Sequence, residues 1–185
     1  MKNNMLFWHT TVFITQIDSI LLDSADSSFS DNYKQTLQKT SSHYTQSLSA
    51  RYLIAQYFLK KTGRRFEIPL GEYSVPLWEH SEKNIFFSYS FIHSSSWSIY
   101  VVWCFAASKI GIDAEFVKER DVSLLQKYKV AHREDFYTLR TAKEAIVKYK
   151  NLSANDIEHI NIKNFPFVTK KMVIDDQSLI ISLMV

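Results

Sequence analysis

The chain has 185 residues, 46% hydrophobic and 15% aromatic, with a formal net charge of +3. That is enough apolar material for one large domain or two small halves sharing a core, so a globular fold can be built. With only 3 Gly and 3 Pro there is no Gly-rich phosphate loop, so the phosphates of any nucleotide ligand fall to side chains and metal.

Residues 5–17 are β-branched and aromatic and read as a first strand rather than a signal peptide. His9 interrupts the apolar run, and no small-residue cleavage site is present. Residues 23–31, rich in Ser and Asp, read as a loop with a helix cap at Ser30 or Asp31, and a short helix follows over 33–40. A longer helix covers 49–62, with Tyr52, Leu53, Tyr57 and Leu59 among its apolar residues. Lys60, Lys61, Arg64 and Arg65 crowd its end around Gly63, where positive charge suits the helix dipole and glycine stops the helix. Strands over 85–89 and 97–105 are joined by a Ser-rich turn. Cys104 lies in the second of these and reads as a buried small residue. As the single cysteine it leaves no intrachain disulfide, which fits a reducing compartment. The next strand covers 109–117. Asp121 caps a short helix over 122–128, and a long helix over 136–149 carries an apolar stripe of Phe136, Leu139, Ala142, Ile146 and Tyr149. Residues 157–162, 167–174 and 179–184 read as three closing strands, the last two joined at Asp175-Asp176-Gln177. The pattern is α+β. No run approaches the ~20 apolar residues of a membrane span, and a cytoplasmic protein is expected.

The chemistry concentrates in two of these elements. Side chains alternate along a strand, so Ile110, Ile112, Ala114 and Phe116 share one face, and Gly111, Asp113 and Glu115 the other. Adjacent carboxylates repel unless a cation or proton sits between them, and hard oxygen ligands of this kind suit Mg²⁺. By themselves such i, i+2 acids are common on half-exposed strands. On the long helix, Glu144 and Lys148 stand at i, i+4. The plain reading is a surface ion pair contributing ~0.3–0.5 kcal/mol. The sharper one is a third metal carboxylate with a phosphate-binding ammonium one turn later.

Gly111-Ile112-Asp113-Ala114-Glu115, followed downstream by Lys143-Glu144-Ala145-Ile146-Val147-Lys148, resembles the paired motifs of the 4′-phosphopantetheinyl transferase superfamily. Upstream, Arg51-Tyr52-Leu53-Ile54 is similar to that family's Arg-x-Leu-Leu helix. The segment from Tyr89 to Trp97, with His93 and Ser94, resembles its Phe-Asn-x-Ser-His-Ser-x-x-Trp strand and turn. Gly71 and Pro76 stand roughly where it carries Gly-Lys-Pro. The resemblance covers most of the chain from about residue 45 onward. It departs at Arg140, where the family has Trp, at Ile92 in place of Ser, at the missing Lys of Gly-Lys-Pro, and after Lys148, where Tyr149-Lys150-Asn151-Leu152 replaces glycines.

The resemblance implies a two-lobe fold of the surfactin-synthetase-activating type: two similar lobes around a pseudo-two-fold axis, each with a long helix packed on a small antiparallel sheet. The lobes would divide as 1–108 and 109–185, and the protein would be a monomer; no repeat is visible in the sequence itself. It implies Mg²⁺-dependent transfer of 4′-phosphopantetheine from coenzyme A to a serine of an acyl or peptidyl carrier protein. Asp113, Glu115 and Glu144 would hold the metal, Glu144 and Lys148 would be catalytic, and His93, Arg51, Lys143 and Lys148 would bind coenzyme A. Lys34 and Lys39 stand near positions suited to its 3′-phosphate but read slightly better as an exposed helix face. The alternative is a degenerate homologue that binds a carrier protein or coenzyme A without transfer.

Other chemistries have less support. The six histidines include no His-x-x-x-His pair, and there is no Gly-x-Ser-x-Gly elbow. The mildly basic balance does not require nucleic acid, and the aromatics alternate as core residues rather than forming an exposed basic-aromatic stripe. Neither nucleic acid nor membrane is expected as a partner.

Overall fold

The computed structural model describes residues 2–7, 10–40, 44–63, 74–76, 84–95, 98–119 and 122–185. The fold is α+β. The strands are β1 (Lys2–Phe7), β2 (Thr10–Ile17), β3 (Ser74–Pro76), β4 (Asn84–His93), β5 (Ile99–Ala106), β6 (Gly111–Phe116), β7 (Phe167–Ile174) and β8 (Gln177–Met184). The helices are α1 (Ser19–Ser28), α2 (Asp31–Thr40), α3 (Tyr44–Thr62), α4 (Val122–Lys127) and α5 (Arg133–Lys150). The strands form two antiparallel sheets, one ordered β1-β2-β5-β4-β3 and one ordered β6-β8-β7.

The sheets stack face to face with one long helix on each outer side. Val12, Ile14, Ile92, Val102 and Cys104 of the larger sheet pack against Ile112, Ala114, Phe116, Leu179 and Ile181 of the smaller. Alternation along β4 and β5 sends their other residues outward, so Phe87, Val101 and Trp103 meet Ala50, Ile54 and Phe58 of α3. On the far side, Phe136, Tyr137, Ala145 and Ile146 of α5 cover Ile180 and Met184 of β8. This α/β/β/α order gives each apolar face a partner.

A topological repeat runs through the chain that its residues do not announce. The succession β2, α3, β4, β5 pairs with β5 between β2 and β4; the succession β6, α5, β7, β8 pairs with β8 between β6 and β7. Both share a strand–helix–strand–strand order with the last strand central, the first with α1, α2 and β3 added and the second with α4.

Several expectations need correction. Residues 5–17 are not one strand but part of the β1–β2 hairpin, in which Phe7 pairs with Thr10. Residues 23–31 are largely helical: Asp18 accepts a hydrogen bond from Leu21 N at 2.8 Å and starts α1, which the Ser/Asp composition concealed. Ser30 does cap α2, accepting from Tyr33 N at 3.3 Å. The strand expected over 157–162 is two short 3₁₀ segments, Ala154–His159 and Ile162–Asn164, because the capping box of Ser153 and Asp156 begins a helical turn there. The β7–β8 turn is as read: Asp175 and Asp176 have φ of 48° and 59°, the two positive values a two-residue type I′ hairpin needs. Gly63 ends α3 at φ 73°. Arg64, Arg65, Gly71, Trp97 and Asp121 lie outside the described residues.

Candidate functional site

The site forms where β4 runs beside β6. Ser88 and Ser90 alternate with the outward-facing Phe87 and Tyr89, so their small hydroxyls point at the edge of β6. The Ser88 hydroxyl accepts from Ile112 N at 2.9 Å, and Ser90 donates to Asp113 Oδ1 at 2.7 Å. Ile112 N at the edge of β6 is thus satisfied by a side chain instead of by another strand. As expected, Ile110, Ile112, Ala114 and Phe116 face the core, while Asp113 and Glu115 take the other face, beneath α5.

Gly111 is the point of closest approach between β6 and α5. A Cβ there would lie 2.1 Å from Ala145 O and 2.7 Å from Tyr149 N, both backbone atoms. The glycine therefore admits the helix backbone, and the close crossing brings Glu144 and Lys148 down to β6. Asn151 then ends α5 at φ 57°, its N–H reaching Lys148 O at 3.2 Å. Asparagine here takes the left-handed position usually given to glycine.

Asp113, Glu115 and Glu144 each offer an oxygen such that the three lie within 4.8 Å of one another. Asp113 is 2% exposed. Its Oδ1 receives Ser90 and the Lys148 ammonium, the latter at 2.8 Å. Its Oδ2 is buried with no hydrogen-bond partner among the described residues. A desolvated carboxylate oxygen without a partner is costly, and a cation is its natural complement. The donor set, three carboxylates with one orphaned oxygen, fits a hard divalent ion.

Two cations of the protein already stand at this cluster. Lys148 Nζ donates to Asp113 Oδ1 and, at 3.0 Å each, to the carbonyls of Tyr89 and Ile112, which ties α5 to both β4 and β6. Arg140 Nε lies 2.8 Å from Glu115 Oε1 and 3.0 Å from Glu144 Oε1. Glu144 thus pairs with Arg140, and Lys148 with Asp113. Burial, followed by the nearby Asp113 charge, pushes the Glu144 carboxyl up to about 7, against the pull of Arg140 and Lys148. Burial opposes the charge on Arg140, but Glu115 and Glu144 outweigh it and hold the guanidinium above its ordinary range.

A cavity of about 210 Å³ opens on the cluster, with Asp113, Glu115 and Glu144 in its wall beside His93 and Lys118. His93 ends β4, exposed, with Nε2 3.2 Å from Gln46 Nε2. Lys118 did not emerge from the motifs; its position just past the strand that carries Glu115 is the signal that points to it. The remaining predicted ligands sit elsewhere. Arg51 is 4% exposed, donates to Tyr33 Oη at 3.4 Å and does not line this cavity. Lys143 points away toward Glu158, whose carbonyl it reaches at 3.3 Å. Lys34 pairs with Asp26 and Asp31. Cys104 is fully buried, and burial pushes its thiol far up, so it is no nucleophile.

No protein-family model and no curated protein matches this chain. Among the described residues, no helix is long and apolar enough to cross a membrane.

Proposed function

We propose that the protein is a phosphopantetheinyl transferase, moving 4′-phosphopantetheine from coenzyme A to a serine hydroxyl of an acyl or peptidyl carrier protein and releasing 3′,5′-ADP. The observation that carries this reading is the convergence of Asp113, Glu115 and Glu144 within 4.8 Å, with Asp113 Oδ2 unpartnered, on a cavity that also holds His93 and Lys118. The repeated strand–helix–strand–strand topology supports a two-lobe, pseudo-symmetric arrangement dividing near residues 108 and 109.

Asp113, Glu115 and Glu144 would hold Mg²⁺. Bound there, the ion would supply Lewis-acid polarisation of a diphosphate and offset charge on the departing 3′,5′-ADP. His93 and Lys118, at the cavity wall, would donate to phosphate oxygens. Lys148 fixes Asp113 in place and adds positive charge where negative charge grows in the transition state. Glu144 would receive the proton of the acceptor serine directly or through a water, although the ion it helps to hold makes its carboxylate a weaker base. The net charge of +3 favours docking of an acidic carrier surface. The enzyme would act as a cytoplasmic monomer.

A second reading, a homologue that binds coenzyme A or a carrier protein without transfer, is favoured by Arg140, whose guanidinium lies against two of the three metal carboxylates. Chromatographic measurement of 3′,5′-ADP separates the two. Release from coenzyme A that requires Mg²⁺ and an apo carrier protein supports transfer. Tight coenzyme A binding without release across a panel of carriers supports the second reading.

A further inference from the structure

We propose that Arg140 is a resident counter-cation at the carboxylate cluster, and that a divalent ion binds by displacing it from Glu115 and Glu144. This rests on the reading of Asp113, Glu115 and Glu144 as a metal site. One guanidinium nitrogen, Nε, reaches Oε1 of both glutamates, at 2.8 and 3.0 Å, so the same side chain holds an oxygen of each. Mg²⁺ draws its oxygen ligands to about 2.1 Å, a separation at which a guanidinium retained between the two carboxylates would face the ion directly.

The charges lead to the same exchange. Three carboxylates face Lys148 and Arg140. With a divalent ion added and both side chains in place, the site would carry an excess positive charge. With Arg140 displaced, the ion and Lys148 balance the three carboxylates, and Lys118 at the cavity wall is left to face phosphate. Lys148 is held by two backbone carbonyls as well as by Asp113, whereas Arg140 has 37% of its side chain exposed. Arg140 is therefore the cation that leaves. A second cavity, about 510 Å³, whose wall holds Arg140, Glu144 and Lys148 together with Tyr128, Val147 and Leu152, gives the guanidinium room to move without crossing the core. Nor do the two resident cations complete the cluster, because Asp113 Oδ2 remains unpartnered beside them.

The test is calorimetric titration of the intact protein and of Arg140→Met with Mg²⁺ and Mn²⁺, with circular dichroism to verify the fold. An arginine engaged about nine-tenths of the time weakens the apparent metal affinity about tenfold, so Arg140→Met is expected to bind roughly tenfold more tightly. In the unsubstituted protein, the ¹⁵N-labelled Arg140 Nε–H resonance should move toward its solvent-exposed position as Mg²⁺ is added, a readout that does not depend on the variant folding. Metal binding that is equal or weaker in Arg140→Met, with the Nε–H resonance unmoved, overturns this proposal and leaves the metal site standing, with Arg140 orienting its ligands. Absence of metal binding in both proteins overturns the metal reading itself, and this proposal with it.

Discussion

Lys148 Nζ lies 2.8 Å from Asp113 Oδ1, and the carboxylate it neutralises is almost wholly buried. The same ammonium accounts for the carbonyls of Tyr89 and Ile112, so one side chain of α5 joins both sheets. Lys148→Met leaves Asp113 buried without its counter-charge, and removing one partner of such a pair typically costs about 3–5 kcal/mol. Urea denaturation should show that loss. The double variant Lys148→Met with Asp113→Asn should recover part of it, because the two substitutions act on one interaction. Fully additive losses would mean that the pair is not coupled.

Gly111 should be the least replaceable residue of β6. A methyl group there would overlap the backbone of α5 at Ala145 and Tyr149, which cannot rotate aside. Gly111→Ala is expected to destabilise the protein by about 3 kcal/mol or more, the upper range for forced overpacking. It should also weaken metal binding, since the helix that carries Glu144 must lift from β6. A thermal melt and a metal titration of the variant check both effects; an unchanged melting temperature contradicts the close crossing.

Glu144 gives the protein a definite pH dependence. Its carboxyl is raised from 4.5 to about 7 in the fold, so between these values the folded state holds a proton that the unfolded state has lost. The stability this group contributes is complete below about 4.5 and is lost as pH rises through about 7. Denaturation of metal-free protein across that window should show the decline, and Glu144→Gln should flatten it. Divalent-ion affinity should run the other way and rise with pH through about 7, because the protonated carboxyl is a poor ligand. A metal affinity independent of pH between 5 and 8 would contradict Glu144 as a ligand.

The parts of the fold legible in the sequence were those with a strong local period. The apolar stripe from Phe136 to Tyr149 marked α5, and the alternation from Ile110 to Phe116 marked β6 and the face that carries its acids. α1 was hidden because Ser and Asp, common in loops, occupy a helix held by the Asp18 cap and by Ala25 in the core. At the 3₁₀ segments near Ile157, Ile160 and Ile162 stand at a strand-like interval, but local capping at Ser153 and Asp156 decides the form of the chain there. At the site, the motifs gave the three carboxylates together with Lys148 and His93. Periodicity could not give the Arg140 bridge or the Lys148 contacts with β4, because both depend on how closely α5 crosses β6.

The most direct test of the account is the intact mass of apo carrier proteins after incubation with the protein, coenzyme A and Mg²⁺. The account predicts a gain of about 340 Da on at least one carrier, the mass of phosphopantetheine added by metal-assisted transfer, abolished by chelator and by Asp113→Ala. No gain on any carrier across a broad panel, with metal and coenzyme A both bound, would contradict it.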